Sequence, residues 1–196
     1  LSSVLYGPNV LGGAIEIDVA RGADRQQAPH PFPADLGVDH TGARSLGLTG
    51  GRLVETPGGE WVLRAGAGHQ ARDGFPLPKE AGKGDGQSRD LLTRDGELRL
   101  NTDMERYDGF VSARYRDLSG SWLSFSASAF TAERGVAPEA HVAEPRLWRY
   151  PEQHRLVAAL SGGTGLWPTP FGDGDVEVSL GLDLGRFRID EFATPT

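Results

Sequence analysis

Val176-Glu177-Val178-Ser179-Leu180-Gly181-Leu182-Asp183-Leu184-Gly185 puts an apolar residue at every even position and a charged residue, serine or glycine at every odd one. A two-residue period belongs to a β-strand, whose successive side chains point to opposite faces; a helix would repeat its apolar positions every three to four residues. The same alternation recurs upstream. In Glu60–Arg72 the odd positions carry Trp61, Leu63, Ala65, Ala67, His69 and Ala71, against mostly polar or glycine even positions. In Arg106–Asp117 one face carries Tyr107, Gly109, Val111, Ala113 and Tyr115, and in Ser121–Ala132 one carries Leu123, Phe125, Ala127 and Ala129. Weaker runs lie at Ala43–Arg52 and His154–Gly162. Helical periodicity is nearly absent, because Gly or Pro interrupts most windows long enough to show it. The chain is therefore read as all-β and antiparallel.

The strongest runs span about 9–13 residues, longer than the usual strand of ~5–6 and close to the ~9–11 that cross a bilayer at a tilt. Their connections alternate in length. Glu55–Gly59 and Asp117–Gly120 are short and turn-like, whereas Gly74–Asp103 and Arg134–Gln153 are long and polar. Soluble β-domains seldom need structureless connections of ~20–30 residues. A membrane barrel, with short turns on one rim and long loops on the other, produces such asymmetry. A soluble antiparallel sandwich also gives one apolar and one polar face per strand, so periodicity alone leaves both architectures open.

Composition removes other classes. Of 196 residues 28 are Gly and 13 are Pro, which demands frequent turns. A net charge of −7 argues against a nucleic-acid partner, because affinity for phosphate needs a basic surface. With no Cys there is no disulfide scaffold, thiolate metal site or Cys nucleophile. No run of ~18 apolar residues supplies a transmembrane helix, which leaves β-barrels untouched. The opening Leu1-Ser2-Ser3-Val4 and the closing Phe192-Ala193-Thr194-Pro195-Thr196 read as cuts in a longer protein.

Two motifs then carry a resemblance. Ser2 to Ile17 reads SSVLYGPNVLGGAIEI, with Ser3, Leu5, Tyr6, Gly7, Gly12, Gly13, Ile15 and Ile17 at the positions of an S-x-L-Y-G-x-x-A-x-G-G-x-I-x-I pattern. Glycine at these positions permits positive φ and close backbone approach ahead of a short strand. This stretch resembles the end of the plug domain of TonB-dependent outer-membrane receptors, departing from it at Val10 and Glu16. Asp95 to Tyr107 is similar to the R-x-N-S-D-Y-E-R segment that leads from an early external loop of that family into a barrel strand, with Thr102 and Met104 replacing Ser and Tyr. Asp73-Gly74-Phe75 is similar to the S-D-G-Y that ends the preceding strand.

The resemblance implies a partial antiparallel transmembrane β-barrel, with about six to seven strands of an expected ~22, preceded by the C-terminal tail of a plug. Residues 1–20 would end the plug, residues 21–42 would connect it to the barrel and hold a possible first strand, and residues 43–196 would begin the barrel. It further implies a receptor in the outer membrane of a Gram-negative bacterium that takes up a scarce ligand such as an iron chelate. TonB would couple through a more N-terminal part of the plug. The other partners would be outer-membrane lipid and an extracellular small-molecule or metal-chelate ligand, with no cofactor and no catalytic residues. The alternative is a self-contained soluble or surface β-domain that binds a partner.

Candidate chemistry is sparse. His30, His40, His69, His141 and His154 show no metal-ligand spacing. Asp173, Asp175 and Glu177 lack the EF-hand pattern, Glu133, Glu139 and Glu144 lack a feature placing two at a catalytic separation, and no G-x-S-x-G occurs. Arg146, Trp148 and Tyr150 combine cations and aromatics in an expected external loop and suit an anionic or aromatic ligand. Asp73 and Phe75 are placed alike. These five are the ligand-facing candidates.

Overall fold

The computed structural model describes residues 34–77, 93–94, 97–139 and 144–192. Its strands are β1 (Ala34–Val38), β2 (Arg44–Thr56), β3 (Gly59–Arg72), β4 (Thr93–Arg94), β5 (Leu98–Arg99), β6 (Met104–Asp117), β7 (Trp122–Gly135), β8 (Leu147–Gly163), β9 (Trp167–Thr169), β10 (Gly172–Gly174) and β11 (Glu177–Phe192). Seven of them form one sheet in the order β1-β2-β3-β6-β7-β8-β11, every neighbouring pair antiparallel. The sheet is open, with β1 and β11 at its two edges. Strands β4 and β5 make a small ribbon, and β9 and β10 another.

Each alternating run of the sequence lies in a strand of this sheet. β1 falls inside 21–42, the region expected to hold a possible first strand. The plug-like motif with Leu5, Tyr6, Gly7, Gly12, Gly13, Ile15 and Ile17 lies outside the described residues. One expectation is corrected. The connection read over Arg134–Gln153 is shorter, because β7 runs to Gly135 and β8 begins at Leu147, so Trp148 and Tyr150 are strand residues. The reason is Pro151, which has no N–H to give to the ladder. On β7 the pairing passes from Ala132↔Gln153 to Arg134↔Tyr150, and on β11 from Arg188↔Glu152 to Asp190↔Arg149. The strand thus carries an extra residue beside Pro151, a bulge, and a one-residue slip exchanges the two faces. Alternation read from His154 therefore does not continue through Tyr150.

Residues directly paired across antiparallel strands share a face. One continuous row runs Leu180↔Leu160↔Phe125↔Ala113↔Leu63, and the next runs Leu182↔Ala158↔Ala127↔Val111↔Ala65. The opposite face carries Asp183↔Val157↔Ser128↔Phe110↔Gly66 and, two rows away, Ser179↔Ser161↔Ser124↔Arg114↔Val62. Apolar and polar faces therefore extend across strands β3 to β11 in register.

The apolar face is not covered among the described residues: Leu180 is 65% exposed, Leu184 55% and Val111 49%. The buried apolar side chains are Leu100, Ala132, Leu147 and Pro138, gathered instead at one end of the sheet. The sheet ends differ less cleanly than the sequence reading expects, because the β8–β11 connection shares an end with the tight turns and is longer than the β7–β8 connection at the other. Thr56–Gly59 and Asp117–Trp122 close tight turns at one, and an added Cβ at Gly59 would fall 2.2 Å from the Arg116 carbonyl oxygen, so only glycine fits that crossing. The β8–β11 connection lies at the same end and holds the β9–β10 ribbon. The longest connection, β3 to β6, leaves from the other end, as do β1 to β2 and β7 to β8.

Candidate functional site

The long-connection end is organised around Arg99-Leu100-Asn101-Thr102-Asp103, the core of the second sequence motif. Leu100, Asn101 and Thr102 are buried, and Asn101 takes φ +51°, a left-handed conformation that Asn tolerates better than most residues. The Thr102 hydroxyl accepts a hydrogen bond from the Phe75 amide (2.8 Å) and donates to the Arg99 carbonyl (2.7 Å). The Arg72 guanidinium donates to the Thr102 carbonyl (3.0 Å), and that of Arg99 donates to the Pro138 carbonyl (3.0 Å). Gly135 packs against Asn101 so closely that a Cβ there would fall 2.6 Å from its backbone. The motif thus ties the ends of β3, β6, β7 and β8 into one corner.

Arg149 completes it. Its two terminal nitrogens reach Asp103 at 3.0 and 2.5 Å, and Nε and Nη2 donate to Glu133 at 3.1 and 2.8 Å. These two carboxylates hold the guanidinium firmly protonated. Arg149 pairs with Gly135, in the row next to Glu133, so the triad lies on the apolar side of the sheet, beyond the apolar rows.

The five ligand-facing candidates separate into two groups. Asp73 and Phe75 belong to the corner: Asp73 is 3.6 Å from Arg44, and Phe75 lies under the Arg72 guanidinium at 3.9 Å. Arg146, Trp148 and Tyr150 are elsewhere. Tyr150 pairs with Arg134, which follows Glu133 on β7, so Tyr150 and Trp148 project to the polar face. The Arg146 guanidinium stacks on Trp148 at 4.4 Å and also ion-pairs with Glu139.

With Arg72 on Phe75, four arginine–aromatic pairs thus stand at this end, the others being Arg146 on Trp148, Arg134 on Tyr150 at 5.0 Å, and Arg106 on Phe130 at 4.8 Å. The Phe187 ring lies 6.4 Å from that of Tyr150, at 59°. Sequence reading found Trp148 and Tyr150 but missed Arg134, Arg106, Phe130 and Phe187. Only strand register reveals them, since Arg134 and Tyr150 are sixteen residues apart and meet across a bulge.

Two connections hold perturbed carboxylates. The Arg146 amide and guanidinium both donate to Glu139 (2.9 and 2.5 Å), which holds its carboxyl down at about 2. Asp39, between β1 and β2, is lowered by hydrogen bonds from the Thr41 hydroxyl and then the Thr41 amide, at 2.6 and 2.8 Å. Both arrangements fix loop shape. Among the described residues no group of three or more His, Asp or Glu side chains is arranged to hold a metal ion. Glu133 and Glu139 are engaged by different arginines on different elements.

No family model matches the chain, and neither a curated protein nor a solved structure matches it.

Proposed function

We propose that the seven-stranded sheet is part of a transmembrane β-barrel belonging to a TonB-dependent outer-membrane receptor, which takes up a scarce extracellular ligand such as an iron chelate. One observation carries the membrane half of this reading: an apolar face, uncovered among the described residues, is bordered by aromatic side chains on both sides. At the short-turn border Trp61 and Tyr115 lie 4.9 Å apart, and at the other His69 stacks on Tyr107 at 4.5 Å. From Tyr107 to Tyr115 the strand rises roughly 26 Å at ~3.3 Å per residue, or roughly 20 Å when tilted, near the ~25 Å apolar band of outer-membrane barrels with its aromatic girdles. Arg52 shares the apolar face, one row inside Trp61. Its stem is long enough to span one row to the short-turn border, as basic side chains do at membrane interfaces.

A sandwich would have to bury Leu180, Leu182 and Leu184 against a second layer, and its strands would be shorter than the 13–17 residues of β2, β3, β6, β7, β8 and β11. The polar face, carrying Arg114, Asp108 and Asp183, would line the barrel interior. No helix of the described residues is long and apolar enough to cross a membrane, so crossing would rest on strands. The receptor half of the proposal rests on the two motifs: the second builds the buried corner from which β6 starts, as a loop-to-barrel segment requires. TonB would act through the plug, and ligand would enter from the long-connection side.

The test is expression of the full-length protein in a Gram-negative host, with membrane fractionation and uptake of a labelled ferric chelate. The proposal requires outer-membrane recovery, and uptake that stops when the proton gradient is collapsed. Recovery in the soluble periplasmic fraction would overturn the membrane reading, and uptake indifferent to the gradient would overturn energy coupling.

A further inference from the structure

We propose that Arg134, Tyr150 and Phe187 form a binding site for a small aromatic carboxylate; the inference rests on reading the polar face as the barrel interior. Arg134 and Tyr150 are directly paired across β7 and β8, and the guanidinium sits 5.0 Å from the ring centroid. A guanidinium over an aromatic face spends none of its N–H donors on that contact. Arg134 is exposed and, among the described residues, forms no ion pair, whereas Arg106, Arg146, Arg149, Arg155 and Arg188 each meet a carboxylate. A positive fork without a counter-ion, at the long-connection end of the polar face, is suited to a planar anion that accepts two parallel hydrogen bonds.

Phe187 supplies the second half. It is 69% exposed although it stands on the polar face, where neither the buried corner nor the apolar rows reach it. Its ring is tilted at 59° to that of Tyr150 with centroids 6.4 Å apart, so the two rings make an apolar wall whose Tyr150 side carries the guanidinium. Gln153 of β8, opposite Phe187 of β11 and Ala132 of β7, adds a neutral polar neighbour. An aliphatic carboxylate would use the fork and forgo ring contact, and a neutral arene would do the reverse. A carboxylate on an aromatic ring uses both. Of the carboxylates on the neighbouring elements, Glu139 is ion-paired with Arg146, Glu133 with Arg149 and Asp190 with Arg188, while Glu191 stands in the row of Trp148, further toward the strand end.

Benzoate is the probe. Titrated by saturation-transfer NMR against the full-length protein in nanodiscs, it should bind at least tenfold more tightly than cyclohexanecarboxylate or benzyl alcohol. Arg134→Gln should weaken benzoate at least tenfold, and Phe187→Ala should remove its advantage over cyclohexanecarboxylate. Arg186→Gln, on the opposite face beside Phe187, should leave binding unchanged. Unaltered benzoate binding in Arg134→Gln with a native circular dichroism spectrum would overturn the site. So would a wild-type protein that inserts into nanodiscs and ignores benzoate, and that result leaves the transport reading standing. A protein that stays out of bilayers would overturn the underlying reading.

Discussion

Arg149 grips Asp103 with both terminal nitrogens across 46 residues of sequence, and Glu133 takes the remaining donors of the same guanidinium. Through this contact the start of β8 is bound to the segment preceding β6, with β7 between them. Arg149→Met would leave two carboxylates facing one another without their cation. Hydrogen bonds to charged groups contribute about 1.5–3 kcal/mol when fully shielded; with these side chains 23% and 28% exposed, a loss of about 1–2 kcal/mol is expected. Hydrogen exchange should locate it, because the Gly135 amide bonds to the Asp103 carbonyl at 3.1 Å and should exchange faster. Unchanged exchange at Gly135 would mean that the triad is incidental to the corner.

Gly135→Ala tests the same corner by crowding. The new Cβ would lie 2.6 Å from the Asn101 backbone, which cannot swing aside as a side chain can. Overpacking of this kind costs about 1–3 kcal/mol. Gly181→Ala is the matched control, with nothing within 4 Å of the added carbon, and its urea midpoint should equal or exceed that of the parent. Equal midpoints for the two variants would contradict the close approach.

Glu139 should titrate far below an ordinary glutamate, at about 2, because the Arg146 amide and guanidinium stabilise its charged form. Its folded-state value is depressed, so the stability it lends is present above the unfolded value of 4.5 and disappears as pH falls toward 2. A carbon-detected NMR titration of the Glu139 carboxyl should find its midpoint in that low range. Glu139→Gln should remove that stabilisation at neutral pH and, with it, the loss of stability on acidification. A midpoint near 4.5 would mean that the clamp does not form in solution.

Leu182→Arg and Ser126→Arg place the same charge on opposite faces of the sheet. If the apolar face meets lipid, the first should cost about 2–4 kcal/mol near the bilayer midplane, with folding into vesicles sharply reduced. The second, on the polar face, should fold nearly as well as the parent. Equal folding yields would remove the distinction between a lipid-facing and an interior surface.

Much of the sheet was legible because β-strands advertise themselves in a period of two. Leu180, Leu182 and Leu184 predicted the apolar face, and the row through Leu160, Phe125 and Ala113 carries it on, since paired residues must share a face. The Arg99–Asp103 motif was visible as a motif, but not as a corner, because its partners Phe75, Pro138 and Arg149 are 24 to 50 residues away from Arg99 in sequence. Trp148 and Tyr150 were recognised as an aromatic and cationic cluster but assigned to a connection. Pro151 broke the period there, and a bulge is recorded in register, which a single strand does not contain.

The sequence by itself determined the class of structure: alternation chose strands, glycine and proline chose the turns, and the absence of a long apolar run excluded a spanning helix. Tertiary structure decided which side chains meet. Arg134 stacks on Tyr150 and Phe187 stands beside them only because β7, β8 and β11 are hydrogen-bonded neighbours with a residue inserted at Pro151. Face and strand are local properties, set by each residue's own backbone. Proximity between strands depends on which edges pair and in which register, and that is settled when the whole sheet assembles.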